Sequence, residues 1–318
     1  MDLATDTTLS YVPIRLQSHA LAHLGKAPMP VDKIGRNDPC SCGERNRRPV
    51  DDFRGLSPDQ MYRLLHFPLD SPDVLQVSTV LESEPDTPLA HLFGLLAEAI
   101  GDKGLKPTAK GNFPRNACRE IMQSFLGESG YADYTRIGGI NGEHDAPELH
   151  ATRVVAELAG FVRKYRGRFI LSRPARAMLA STGQRELYSR LFRTYATEFN
   201  WAYQDGFAEM PFIQQGWGFT AYLLHLDGHR QQPATLYADA FRQAFPAVDI
   251  ELEGESLYRS LEETWRLLYT VRCLERFADF TGIAMVRREG GGFLTDPQAI
   301  NVQATPLLSR LIDFRGEY

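Results

Sequence analysis

Residues 161–176 contain six cations and no acid: Arg163, Lys164, Arg166, Arg168, Arg173 and Arg176. Arginine suits phosphate because its planar guanidinium donates two parallel charge-assisted hydrogen bonds. The cations surround Arg166-Gly167, a turn between two short strand-like runs, so they form a basic hairpin whose tip can reach along a groove or backbone. Lys106, Lys110, Arg115 and Arg119 add positive charge around a helix predicted over residues 114–126. The chemistry implied is contact with nucleic-acid phosphates. A solvated hairpin edge uses Lys and Arg against strand-to-strand aggregation, and that role needs no ligand.

A second set can hold a metal. His19 and His23 lie four apart on one face of a helix predicted over residues 14–24, and Cys40 and Cys42 are one residue apart. Together they make a Cys2His2 set, the donor chemistry of tetrahedral zinc. The simpler reading is a pair of ordinary amphipathic-helix histidines. His225, Asp227 and His229 are divalent-ion donors as well, but Asp227-Gly228 is a plain turn signal, and we take the turn. We expect no cofactor, with zinc at Cys40, Cys42, His19 and His23 as the alternative.

The segment GRNDPCSCG, residues 35–43, resembles the opening of the SEC-C zinc motif, known from the tail of a bacterial protein-translocation ATPase and from many other bacterial proteins. The resemblance implies a site completed by a Cys-Cys or Cys-His pair beyond a basic stretch. Here ERNRRPVDDF follows and no Cys or His occurs before His66, so only Cys40 and Cys42 of that set are present and the motif reads as degenerate.

Nothing points to catalysis. The chain has no GxxxxGK[ST] phosphate loop, GxSxG elbow or HExxH helix. Glu143, His144 and Asp145 read as a surface-loop triplet. The aromatic series from Tyr188 to Tyr222 has helical spacing and reads as core. We expect a protein that is not an enzyme.

The elements that position the hairpin occur in a pattern found twice. An amphipathic helix runs into a strand, a Gly turn and a second strand over residues 149–172 and again over 269–295. Before the first copy come a helix opened by Pro88, an extended stretch (LKPTAKGNF), a helix over 114–126 and a Gly-rich loop over 127–146. That order is the order of a winged helix-turn-helix. Its third helix, residues 147–160, would present His150, Arg153 and Glu157 to the major groove, with phosphate and shape contacts dominating. In the second copy residues 255–280 lack Pro and Gly and predict one long helix. Its hairpin turns at Gly290-Gly291-Gly292, Arg287 and Arg288 are balanced by Glu289 and Asp296, and NVQATPLLSRLIDF predicts a closing helix.

The expected fold is mainly α with short β-hairpins, built as two winged-helix-like units joined by an aromatic helical segment. The expected divisions are an arm with the degenerate motif (1–57), a first unit with the basic wing (58–182), a helical connector (183–232) and a second unit (233–318). LKPTAKGNFPRNACREI with AGFVRKYRGRFILSRPARAML also resembles the C-terminal region of uncharacterised plasmid- and transposon-borne proteins, over residues 89–182. Those carry "LTxxGxLP" and a basic hairpin ending in "LTxxGR", where this chain has Ala175 in place of the glycine. The resemblance implies a winged helix and no enzyme activity.

At 318 residues the chain is long enough for two or three domains. A net charge of −5 confines any nucleic-acid surface to a local patch. Four cysteines without a paired framework favour a reducing compartment, and no apolar run approaches membrane-spanning length, so we expect a cytoplasmic protein without a membrane partner. The leading expectation is non-catalytic binding of double-stranded DNA through the wing and third helix of the first unit. The competing one is a protein-interaction adaptor, favoured by the acidic run from Asp239 to Glu263 and the neutral second wing.

Overall fold

Ser57, Thr87, Ser172 and Thr305 each accept a hydrogen bond from a backbone N–H in the first turn of a helix, and each of those helices carries proline at its start. The cap satisfies an orphan donor, and proline lacks the N–H that would be orphaned there. In a computed structural model that describes residues 52–180, 183–203, 207, 209–252, 259–288 and 299–315, these signals organise a mainly helical chain with short antiparallel strand pairs. The predicted helix over 14–24, and Cys40, Cys42, His19 and His23, lie outside the described residues.

After α1 (Pro58–His66) and β1 (Leu75–Val77) comes a first set of elements: α2 (Pro88–Ile100), α3 (Arg115–Thr135), a 3-10 turn (Glu143–Asp145), α4 (Pro147–Leu158), β2 (Val162–Tyr165), β3 (Arg168–Leu171) and α5 (Arg173–Leu179). Then α6 (Gln184–Thr197) and α7 (Pro211–Gln215) lead to a second set. This comprises α8 (Trp217–Asp227), β4 (Gln232–Pro233), α9 (Ala234–Ala244), α10 (Val248–Leu252), α11 (Leu261–Tyr269), a π-helical continuation (Thr270–Asp279), β5 (Ala284–Arg288), β6 (Ile300–Ala304), α12 (Pro306–Leu311) and β7 (Ile312–Phe314).

The two sets share a topology. In the first, the segment between α2 and α3 makes an antiparallel bridge from Leu105 to Phe169 on β3, which pairs with β2. In the second, β4 lies between α8 and α9 and pairs with β6, which pairs with β5. Both therefore place the strand-like segment before the second helix beside the returning strand of the hairpin. Both hairpins follow a helix that ends at a left-handed glycine, Gly160 (φ 73°) and Gly282 (φ 77°).

Several expectations change. Residues 127–146 are not one loop: the helix breaks at Gly127 (φ 68°) and resumes to Thr135. The returning strand of the second hairpin is Ile300–Ala304, where Ile300 and Val302 alternate into the core. The closing helix accordingly shrinks to Pro306–Leu311 between two strands. The expected divisions also shift. Helix α8, assigned to the connector, opens the second set and packs on α9, while α1 packs on α8 and β1 pairs with β7 across the length of the chain. Residues 58–77 thus belong with the second half.

Most of the aromatic segment is core, as its spacing predicts: Tyr188, Phe192, Tyr195, Phe199, Trp201, Trp217, Phe219 and Tyr222 are buried, whereas Tyr203, beyond the end of α6, is exposed. It joins the halves through polar ties as well as packing. Tyr188 Oη donates to the Thr281 carbonyl and Tyr195 Oη to that of Arg276.

Gly282 sits where the halves meet. A Cβ there would lie 2.4 Å from Thr87 Cγ2, whereas at Gly160 the nearest atom is the end of the Arg190 side chain at 3.6 Å. Gly160→Ala should cost only the left-handed strain, about 1–2 kcal/mol. Gly282→Ala adds overpacking and should cost about 2–4 kcal/mol. Urea denaturation of the two variants checks this; equal losses would remove the close approach as a stabilising constraint.

Candidate nucleic-acid interface

The basic hairpin forms as expected. Val162 pairs with Leu171, Arg163 with Ile170, Lys164 with Phe169 and Tyr165 with Arg168. Arg166 (φ 48°) and Gly167 (φ 72°) are both left-handed, the signature of the two-residue turn whose twist matches its strands. Alternation sends Val162, Phe169 and Leu171 into the core and sets Arg163, Tyr165, Arg168 and Ile170 on the opposite face. Arg163, Lys164, Arg166 and Arg168 are exposed.

A neighbouring loop extends this surface. Leu105 and Phe169 exchange backbone hydrogen bonds of 3.0 and 2.8 Å. Arg168 Nη1 donates to the Gly104 carbonyl at 2.7 Å. The turn over 108–112 is closed by Thr108 and Asn112, with Gly111 beside Lys164 Nζ. Lys106, Lys110 and Arg115 are exposed along this stretch, and α3 begins at Arg115 without a side-chain cap on its first-turn N–H groups. Arg173 and Arg176 are exposed on α5, Arg176 lying 4.0 Å from Asp102. Arg119 turns inward instead, its Nε donating to the Ile140 carbonyl.

Arg153 is not part of that surface. It is 5% exposed, and most of α4 is buried with it, including His150, while Leu158 at the end of the helix is exposed. Helix α6 packs across α4, and Tyr203 stacks on His150 with ring centroids 5.2 Å apart. The helix expected to face the major groove is therefore covered by the segment that follows it. Glu143, expected in a surface loop, is 1% exposed and is the centre of a buried network. It accepts from Arg153 Nε at 2.5 Å and from the Phe113 N–H at 2.5 Å, and its Oε1 lies 2.8 Å from His150 Nδ1. Arg153 also reaches Glu157 at 2.9 Å. Burial pushes the Glu143 carboxyl up, but the His150 bond, the Arg153 charge and bond, and the Phe113 N–H outweigh it and hold the group below its ordinary value.

No family model, curated protein or solved structure matches this chain.

Aligning the halves on Gly160 and Gly282 sets Arg153 opposite Glu275. Glu275 is buried and takes Arg288 Nε at 2.7 Å. Arg288 is thus paired from inside the unit; Glu289 and Asp296, expected to balance it, lie outside the described residues. Arg287 is exposed. Asp279, opposite Glu157, is pushed up to about 7 by burial, against the Val286 N–H it accepts and with the Glu275 charge adding to the rise.

At the other metal candidate, His225 packs on Phe314, and Asp227, the last residue of α8, pairs with Arg54 at 2.5 Å. Among the described residues no group of three His, Cys, Asp or Glu is placed to hold a metal, and no helix is long and apolar enough to cross a membrane. Cys118 is buried, its thiol pushed up to about 12 chiefly by burial, and carries no nucleophile's signature.

Proposed function

We propose that this protein is a non-catalytic DNA-binding protein, built on two winged-helix units, that grips double-stranded DNA by its phosphates. The observation that carries the reading is the cluster of exposed cations on the hairpin, Arg163, Lys164, Arg166 and Arg168, tied by backbone hydrogen bonds to the loop of Lys106 and Lys110 that leads to Arg115. The repeated helix–strand–helix–helix–hairpin order, with the first strand beside the returning strand of the hairpin, supports the winged-helix assignment. With α4 covered, the major groove has no reading helix from this unit, so binding is electrostatic and tolerant of sequence.

The test is a fluorescence-anisotropy titration of a short random duplex at two salt concentrations. Neutralising six or more phosphates lowers affinity by about 10³-fold between 50 and 200 mM salt. Tight binding with that dependence is the expected result, and no binding at low salt would remove the reading.

The second reading is a protein-interaction adaptor. It is favoured by the burial of both α4 and its π-helical counterpart, which makes each unit look like a scaffold. The acidic run gives it less support, because Asp239 is held by Arg266 and Asp249 by Arg242.

A further inference from the structure

Tyr165 is an aromatic residue at the tip of a basic hairpin, and it is 48% exposed. A hairpin edge protected only against aggregation needs Lys and Arg there, not a large ring. The Arg163 guanidinium lies 5.4 Å from the ring centroid, that of Arg166 lies 5.2 Å away, and Arg168 is the directly opposed residue on the same face. The tip therefore combines a stacking surface with three phosphate-binding forks.

We propose that this tip engages an unpaired base, so that the preferred ligand is a duplex with a single-stranded extension. The inference rests on the nucleic-acid reading above. Within a closed duplex both faces of each base are occupied by neighbours, and Tyr165 has nothing to stack on. In a single strand every base presents a π-face. An exposed cation–π contact is weaker than base–aromatic stacking, so a base can displace one guanidinium from the ring. The displaced fork is then free for the adjacent phosphate, and guanidinium planes themselves stack on bases. The covering of α4 works in the same direction: with no helix to read base edges in a groove, bases are met where they are already unpaired.

The experiment uses the full chain and two DNAs of equal duplex length, one closed at both ends by non-nucleotide linkers and one with a single-stranded tail. Anisotropy at one low salt concentration gives the affinity ratio, and 2-aminopurine at the first unpaired position reports stacking. The wild type should bind the tailed duplex about tenfold more tightly and quench the probe. Tyr165→Ala should bring the tailed duplex down to the closed one, and Tyr165→Phe, which keeps the ring, should restore the preference. Equal wild-type affinities, or a preference that survives in Tyr165→Ala, would overturn the proposal while leaving phosphate binding standing. A Tyr165→Ala loss of equal size on both DNAs would overturn it in favour of a wedge between base pairs. If neither DNA binds, both readings fall together.

Discussion

Glu143→Ala should lower the stability of the folded chain by about 3–5 kcal/mol. The carboxylate is enclosed and is the shared acceptor for Arg153, His150 and the Phe113 N–H. Removing it leaves a guanidinium in the interior that, among the described residues, keeps the partly exposed Glu157 as counter-charge. It also leaves a buried backbone donor without its acceptor, which adds to the cost. Glu157→Ala removes the outer member of the same pair and should cost less than about 1 kcal/mol. The double variant Glu143→Ala/Arg153→Met removes both charges and should recover part of the loss. The pH dependence has a definite sign. The folded-state value of Glu143 is depressed, so its stabilisation is present above the unfolded value of about 4.3 and is lost as pH falls through the folded one. The gap between wild type and Glu143→Ala, measured by urea denaturation, should therefore be full at pH 7 and start to narrow only as pH falls below the unfolded value of about 4.3. A variant as stable as wild type at pH 7 would show that the network contributes nothing.

What the sequence made legible was local. Ser or Thr before proline marks the helix starts, and Arg166-Gly167 between alternating residues marks the hairpin and its register. The repeat was legible because Gly160 and Gly282 punctuate the same place in each half. The rest depended on partners far along the chain. Arg153 and His150 looked exposed because polar residues on a helix ordinarily are, and their cover comes from α6 and Tyr203, which lie well beyond the hairpin. One signal was available: Glu143 is an acid upstream of a helix carrying His150 and Arg153 three residues apart, which is the spacing of side chains on one face. The pairing of β1 with β7 had no local signal, since three residues are too few to show a period. The returning strand of the second hairpin was missed because its glycines suggested a tight turn, while the alternating apolar residues that pack begin only at Ile300.

Arg166→Glu/Arg168→Glu should weaken duplex binding by about 100-fold at low salt and make the salt slope shallower by about 2, roughly one unit for each lost phosphate contact. Both side chains are exposed at the hairpin tip, so the change acts on the field at the ligand more than on the core. The structural cost is the bond from Arg168 to the Gly104 carbonyl and the contact of Arg166 with the Tyr165 ring, and an unaltered far-UV circular dichroism spectrum separates lost binding from lost fold. The control is Arg287→Glu on the second hairpin, which should change affinity by about twofold or less. Arg288 cannot serve as control. It neutralises the buried Glu275, and reversing it would set two carboxylates together in the interior and unfold the second unit for reasons unrelated to DNA. If Arg287→Glu weakens binding as much as the tip variant does, affinity follows the net charge of the chain and not the first hairpin. If the tip variant binds like wild type, the phosphates lie elsewhere and the arginines only protect a strand edge. A large loss confined to the first hairpin would mean that two copies of one topology have diverged, one keeping its cations in solvent and the other turning Arg288 inward to hold its own helix.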